Sequence, residues 1–399
     1  MQVGATGLAV GMCLSALMVA GPRTAASATP ASSATTVSPE DPLAVAPPEE
    51  YELPPGDIDT SGTIAEAPDV VARSSGSAIT LRFGGDIHFE NQVRRQQNGL
   101  ATLSGLFGAA DLSMINLETA LTNRGRPQSK EYRFHASTSV LKTLQRRGID
   151  VVTMANNHAL DFGRVGLTDT LRARSRSKLP VVGLGNNISD AVKPWTTKIG
   201  DTSFAFFGAM NNEPLSDEKN AGRITRNWTA TKRGPGIVIT PGARRELLAA
   251  VRTAAKEEDV VVVYVHWGIE GSACPSARQT ALMQQLRAAG ADVIIGAHPH
   301  VLEGAGFVGS TAVAYSLGNF VWYNTFSRYS AVLQVDIVKG KPAKMSYIPV
   351  AIGADGLPRR VGGDGARWVR ARMASGAKCA RLSPEPPKPP VDSPQVKRR

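Results

Sequence analysis

The sequence predicts an α/β fold closed by an antiparallel strand pair. Three observations carry this. Short apolar runs alternate with segments of helical period through the middle of the chain. One run, Val260-Val261-Val262-Val263-Tyr264-Val265, is apolar at every position, as a strand covered on both faces must be. Two late runs, Ser330–Val338 and Lys344–Ile352, have no helical segment between them, which gives the pattern an all-β ending.

Strands are predicted at Ile79–Gly84, Asp111–Ile115, Asp150–Met154, Leu179–Val182, Ser203–Phe207, Val260–Val265, Val293–Ile295 and Thr311–Ser316. Helices are predicted at about Gln97–Phe107, Ser137–Arg147, Val165–Ser175, Pro241–Lys256 and Ala277–Ala289, with Gly148 and Gly290 placed to end two of them. There is no internal repeat.

A length of 399 residues, with 42% hydrophobic against 20% charged, suffices for a sizeable core. It excludes a disordered polymer and a mini-protein held only by metal or disulfides. Residues 1–28 read as an export signal: an uncharged apolar run from Val3 to Ala20 precedes Ala26-Ser27-Ala28, an A-x-A cleavage site. The first base is Arg23, and an uncleaved membrane anchor is the rival reading. Cys13 lies inside the run without the small-residue context of a lipid anchor. Residues 29–77 read as a disordered Ala/Pro/Ser/Thr-rich linker, and residues 381–399 as a Pro-rich disordered tail. That leaves 78–380 as one folded domain, secreted or held at the cell envelope.

Lys+Arg 45 against Asp+Glu 34 give a net charge of +11. The densest basic run is Arg172, Arg174, Arg176 and Lys178. No nucleic-acid motif or interleaved aromatic residues accompany it, so nucleic acid is not an expected partner. An anionic envelope polymer or lipid headgroups suit such a protein; a solvated basic surface explains the charge as simply. Once Cys13 leaves with the signal, Cys274 and Cys379 remain. In an oxidising compartment they read as a disulfide tying the C-terminal segment to the loop after His266, with two free buried thiols as the alternative.

The six histidines are His88, His135, His158, His266, His298 and His300. All but His135 fall at or just beyond the C-terminal end of a predicted strand, where sites form in open α/β sheets. Asp86 and His88 can converge on one ion where the chain leaves the pleat. Glu118 adds a carboxylate at the next strand end, Asn157 a neutral oxygen, and His266, His298 and His300 add imidazoles. Such a set suits Zn, Mn or Fe rather than Ca. It exceeds the needs of one tetrahedral ion and suffices for two divalent ions sharing a carboxylate, about 3.5–4 Å apart, which can activate a water and clamp a leaving oxygen at phosphorus. Each element taken singly has a plainer reading: D-x-H or H-x-H fills a polar corner, and Asn156-Asn157 makes a turn. Their ordered recurrence at successive strand ends is what argues for a centre. His135, after Tyr132-Arg133-Phe134, matches no ligand position and reads as a capping or surface residue. Arg124 divides evenly between an anion contact and a solvated loop residue.

In this order, D-x-H, acidic strand end, N-H, H and H-x-H resemble the calcineurin-like metallophosphoesterases. More narrowly, NLETALTNRG, MANNHALDFGRVGL, VHWGIEG, GADVIIGAHPHV and YSLGNF resemble the CapA family of capsule or poly-γ-glutamate biosynthesis proteins, over about Ile79 to Ile352. The resemblance implies a sandwich of two mixed β-sheets flanked by helices, with metals at the strand ends. It implies Asp86, His88 and His300 around one ion and Asn157, His266 and His298 around a second. Glu118 would bridge them, where the phosphoesterases usually carry an aspartate within G-D-x-x-D. Many family members have an apolar residue in place of His88, so this copy stands closer to the phosphoesterase pattern. His158 matches the histidine that protonates the leaving group or stabilises the transition state, and its acidic partner, usually adjacent, is here Asp161, three residues on. Ser316, Gly318 and Asn319 fall in the YSLGNF segment near the site, where a tight turn is the plainer role.

Three functions compete. One is an exported metal-dependent hydrolase of a phosphoester or another envelope ester or amide. Another is an accessory protein for making or anchoring an anionic polymer, working with a membrane synthesis complex. The last is a non-catalytic wall-binding module. The family role with a hydrolase-like site ranks first.

Overall fold

The apolar strand Val260–His266 shows how the layers arise. Val260, Val262 and Tyr264 face a core shared with Leu81, Phe83, Met114, Phe204, Phe206, Val293 and Ile295. Val261, Val263 and Val265 face a second core with Leu247, Val251, Leu282 and Leu286. The alternation is the two-residue period of a strand, and both faces are apolar because both are covered. Each fully buried valine contributes roughly 1.5–3 kcal/mol. Strand and core therefore specify each other.

The structure is a computed structural model and describes residues 78–212, 227–323 and 327–388. The expected signal (1–28) and linker (29–77) lie outside the described residues, as does the tail beyond residue 388. Ser383 exchanges two backbone hydrogen bonds with Phe307 (2.7 and 2.9 Å), so pairing continues through that residue. No helix among the described residues is long and apolar enough to cross a membrane.

Two mixed sheets pack face to face. The first runs, in spatial order, Pro358–Arg360, Lys341–Ile352, Tyr329–Val338, Ala78–Ile87, Leu112–Leu117, Val151–Thr153 and Val181–Val182, with Asn319–Val321 also paired to Ala78–Ile87. The second runs Ile239–Thr240, Thr202–Asn211, Val260–His266, Val293–Ala297, Thr311–Leu317 and Leu302–Val308, with Trp195–Ile199 paired to Thr202–Asn211. Helices Arg244–Glu257 and Ala277–Ala288 cover the outer face of the second sheet. Helices Ala101–Phe107, Val140–Arg146 and Gly163–Arg176 cover the first. This is the two-sheet sandwich flanked by helices that the resemblance implied.

Ala78–Ile87, Leu112–Leu117 and Val151–Thr153 are parallel. So are Thr202–Asn211, Val260–His266 and Val293–Ala297. Their C-terminal ends deliver Asp86, Glu118, Asn157, His266 and His298 to one region. Gly148 and Gly290 end their helices at φ +87° and +103°, the left-handed conformation that favours glycine.

The late strands Tyr329–Val338 and Lys341–Ile352 pair antiparallel as expected. The all-β ending is corrected: the 17-residue helix Gly363–Cys379 follows them. It buries Ala366, Val369, Met373 and Gly376, a helical stripe diluted by small residues and interspersed arginines. The helix also lies backbone to backbone on Leu302–Val308, where a side chain on Gly304 or Gly376 would overlap the other element.

Gly85 is a second close approach. A Cβ there would overlap the carbonyl of Gly318, which accepts the Asp86 N–H at 3.0 Å. Gly85→Ala is expected to destabilise the chain by about 1–3 kcal/mol, read by denaturant unfolding.

Candidate metal centre

Asp86 leaves its strand at an irregularity in pairing between Asp86 and Ile87 and is fully buried. Its Oδ1 accepts from Asn116 Nδ2 at 2.7 Å and its Oδ2 from the His298 backbone N–H at 3.0 Å. Asn156 Nδ2 donates in turn to Asn116 Oδ1 at 3.0 Å. The Asn156 and Asn116 amides thus fix the Asp86 carboxylate. Glu118 is held by its backbone N–H to Ile87 O at 2.8 Å, and its carboxylate, fully buried, has no hydrogen-bond partner.

The histidines converge from the second sheet. His266 Nε2 lies 2.8 Å from Asn157 Oδ1 and 3.5 Å from Glu118 Oε1, and its Nδ1 lies 3.1 Å from Asn116 Nδ2. His300 Nδ1 lies 2.8 Å from Asn319 Oδ1 and 3.5 Å from Asp86 Oδ2. His298 and His300 hold φ of +101° and +59°, left-handed values at non-glycine residues that cost about 1–3 kcal/mol each and cluster at functional sites. Both ring nitrogens of buried His298 lack a hydrogen-bond partner.

Three sets of donor atoms lie within 4.8 Å of one another: Glu118, His266 and His298; Asp86, Glu118 and His300; and Glu270, His298 and His300. Glu118 joins the first two. His88 stands outside these sets: its ring packs on Phe134, Trp322 and Tyr323 (4.2, 4.1 and 4.8 Å between centroids), and its buried Nε2 lacks a partner. Orphaned buried donors cost about 1–3 kcal/mol each when nothing meets them. A cation of the transition series satisfies carboxylate and imidazole donors together, so the residues fit a metal.

Electrostatics agree. Burial, and next the Asp86 charge, hold the Glu118 carboxyl well above its ordinary range. Burial pulls His88, His158, His266 and His298 well below theirs; the neutral form is the one in which His266 and His298 bind metal. At His300 burial pulls down, but the Asp86 hydrogen bond and charge outweigh it and the net shift is upward. The metal-free fold should therefore weaken in acid. Between about pH 6.5 and pH 5, the four depressed histidines bind protons when unfolded and not when folded, so their stabilisation is lost as pH falls. The raised Glu118 and Asp161 carboxyls and the raised His300 act oppositely, three against four. The unfolding midpoint of chelator-treated protein should be lower at pH 5.5 than at pH 7; an unchanged or higher midpoint would contradict the assignment.

Beside the donor sets lies the predicted catalytic pair. His158 Nδ1 is 2.6 Å from Asp161 Oδ2, and His158 Nε2 is 3.7 Å from Glu118 Oε1. Three residues bring the pair together across a turn that Asp161 N closes on His158 O at 3.3 Å. Burial raises Asp161 to about 6, and the Lys130 charge works against that rise.

The model of the bacterial capsule synthesis protein family PGA_cap matches residues 80–324, most of the described core and every residue of the donor sets. The chain belongs to this family. Among PGA_cap relatives, the PGA biosynthesis protein CapA of Bacillus subtilis is 31% identical over 299 residues, covering 72% of this chain and 75% of the relative. The capsule biosynthesis protein CapA of Bacillus anthracis is 30% identical over 310 residues, covering 74% and 72%. A probable polyglutamine synthesis accessory protein of Mycobacterium tuberculosis is 29% identical over 206 residues, covering 49% and 52%. Of solved structures, a candidate 5′-nucleotidase of Staphylococcus aureus matches at 16% identity with TM-score 0.44, over 75% of this chain and 58% of that one.

Several site residues of this PGA_cap chain escape sequence reasoning. Lys130, its side chain 1% exposed, donates to Asp161 Oδ1 at 2.9 Å and to Asn157 O at 2.7 Å, and lies 3.3 Å from His158 Nδ1. Phe134 stacks between His88 and His158 at 4.2 and 3.9 Å while its N–H donates to Asp161 Oδ2 at 2.7 Å. Asn116 lies in a segment flagged only for Glu118. Nothing local marks Lys130 or Phe134, since their partners come from a distant loop. Gly318 turns at φ +67°, with its N–H on Ser316 Oγ, and Asn319 orients His300, so YSLGNF buttresses the site. His135 sits half-buried by Thr122, Glu90 and Arg94. Arg124 pairs with Asp169. Cys274 and Cys379 are bonded, with Cα atoms 5.8 Å apart.

Proposed function

We propose that the chain is an exported metal-dependent hydrolase that serves the making or anchoring of an anionic capsule-type polymer such as poly-γ-glutamate. The polymer role is supported by the family and by the names of its relatives. The hydrolytic role rests on one observation: a polarised buried imidazole, His158 on Asp161, stands beside converging carboxylate and imidazole donors, among which the Glu118 carboxylate and both ring nitrogens of His298 lack a hydrogen-bond partner.

In this reading two divalent transition ions (Mn, Zn or Fe) occupy the centre. Asp86, His300 and the orphaned Nε2 of His88 would hold one, Asn157, His266 and His298 the other, and Glu118 would serve both. Bound ions supply an activated water and charge neutralisation at the scissile group. The remaining work falls to the protein. Asp161 accepts from His158 Nδ1, which leaves Nε2 on the Glu118 side to take the proton that the attacking water gives up and pass it to the leaving oxygen. Lys130 and the Phe134 N–H keep Asp161 oriented. The Cys274–Cys379 bond fits an oxidising compartment and so supports export.

The test is metal analysis of the purified chain, then a screen of phosphoesters and other esters and amides with metal-loaded protein. Stoichiometric Zn, Mn or Fe with His158-dependent hydrolysis is the expected result. Metal without turnover would leave a polymer-binding accessory protein, and no stoichiometric metal would remove the proposal. Deleting the chain should reduce surface polymer.

A further inference from the structure

The third donor set contains a residue that neither the phosphoesterase pattern nor the reading above uses. Glu270 places a carboxylate oxygen within 4.8 Å of ring nitrogens of His298 and His300. It is half-buried, whereas Asp86 and Glu118 are fully buried. It is therefore the acid of the three sets that reaches solvent. An independent observation points to a ligand there: His298 is buried and neither of its ring nitrogens has a hydrogen-bond partner.

Glu270 rides on the loop between strand Val260–His266 and helix Ala277–Ala288. Its shape is set by Gly268 and Gly271, at φ +97° and +74°, and by few backbone bonds: Gly271 N to Pro299 O at 2.8 Å and Ser272 N to Ile269 O at 3.1 Å. Pro299 is the residue between the two histidines. Such a glycine-bearing loop keeps much conformational entropy unless tied. The tie is four residues on, where Cys274 is bonded to Cys379 at the end of helix Gly363–Cys379. That helix lies backbone to backbone on Leu302–Val308, the strand that begins two residues after His300. The disulfide thus couples the Glu270 loop to the strand that directly follows His298 and His300.

We propose that Glu270 is a further metal ligand of this centre, at its solvent side, and that the Cys274–Cys379 disulfide positions it. The inference rests on the metal-centre reading. A ligand that reaches solvent is the one an incoming anionic substrate displaces most readily, so Glu270 would mark the side of the centre that substrate approaches.

The test measures zinc and manganese affinity of the full chain by titration calorimetry, and the unfolding midpoint of the metal-free protein as a check on folding. Glu270→Gln is expected to weaken binding of at least one metal about tenfold or more, with the metal-free midpoint unchanged. Glu270→Asp, which keeps the charge and withdraws the carboxylate, should bind with intermediate affinity. The double variant Cys274→Ser with Cys379→Ser should also weaken binding, and adding Glu270→Gln to it should cause no further loss, because both changes remove the same ligand. Wild-type affinity in Glu270→Gln would overturn the ligand assignment alone. Wild-type affinity in the double-serine variant would overturn the tether. A wild-type chain that binds neither metal would remove the centre itself and this inference with it.

Discussion

His158→Gln is expected to lower metal-dependent hydrolysis by about 10²–10⁴-fold, the usual contribution of a positioned general acid, while leaving metal content unchanged. At 1.36 kcal/mol per decade that is roughly 3–5 kcal/mol of barrier. The two halves of this expectation come from separate observations. His158 is absent from all three close donor sets, so its loss should not release an ion. Its Nδ1 is committed to Asp161 at 2.6 Å, so one ring nitrogen remains for chemistry. Glutamine keeps most of the volume beneath Phe134, which stacks on the imidazole at 3.9 Å. The leaving group gives an internal control. A nitrophenyl ester departs without a proton, so the loss should be smaller for it than for an alkyl ester. Equal losses on both esters, or loss of metal, would remove His158 from the acid role.

Lys130→Met is expected to cost about 3–5 kcal/mol of stability, because it strips one partner from a buried pair and leaves the other charged. For a domain of this size that lowers the unfolding midpoint by about 5–15 °C. The pair is 2.9 Å apart with side chains 1% and 0% exposed, so solvent screens it little. The sign of the pH dependence follows from Asp161. Its carboxyl is already raised to about 6 by burial, and the Lys130 charge opposes that rise, so the variant raises it further. A group raised in the folded state contributes stability below its unfolded value, near 3.8, and loses it as pH climbs through the folded value. The defect should therefore be larger at pH 8 than at pH 5. Asp161→Asn in the same chain should recover part of it, since no uncompensated charge remains. A Lys130→Met chain within 1 kcal/mol of wild type at pH 8 would contradict the pairing.

The parts of the molecule that could be read in advance share a physical reason. Val260–His266 and Val293–Ala297 are doubly covered strands, so burial alone writes them as apolar runs, and their ends announce His266 and His298. Asp86 and Glu118 follow from the same rule on the first sheet. Leu302–Val308 was not legible, because Glu303, Gly304 and Gly306 interrupt its apolar pattern where helix Gly363–Cys379 presses on the backbone. That helix was missed for the complementary reason: its contact face is built partly from glycine and alanine. Lys130 and Phe134 were illegible in a stronger sense. They lie among polar residues in RPQSKEYRF, and what gives them meaning, Asp161, is 31 residues from Lys130 and joins it only through tertiary structure. Pattern locates residues that a strand end displays; it does not locate those that another loop selects.

The bond between Cys274 and Cys379 spans 105 residues, and His298 and His300 lie inside that span while Asp86, Glu118 and His266 lie before it. A protease cut anywhere within the span therefore cannot separate the two groups of donors. The fragments stay one molecule under oxidising conditions, and the nick becomes visible on a denaturing gel only after reduction. For a protein proposed to work outside the cell, among other secreted enzymes, the covalent link makes the centre tolerant of a broken chain.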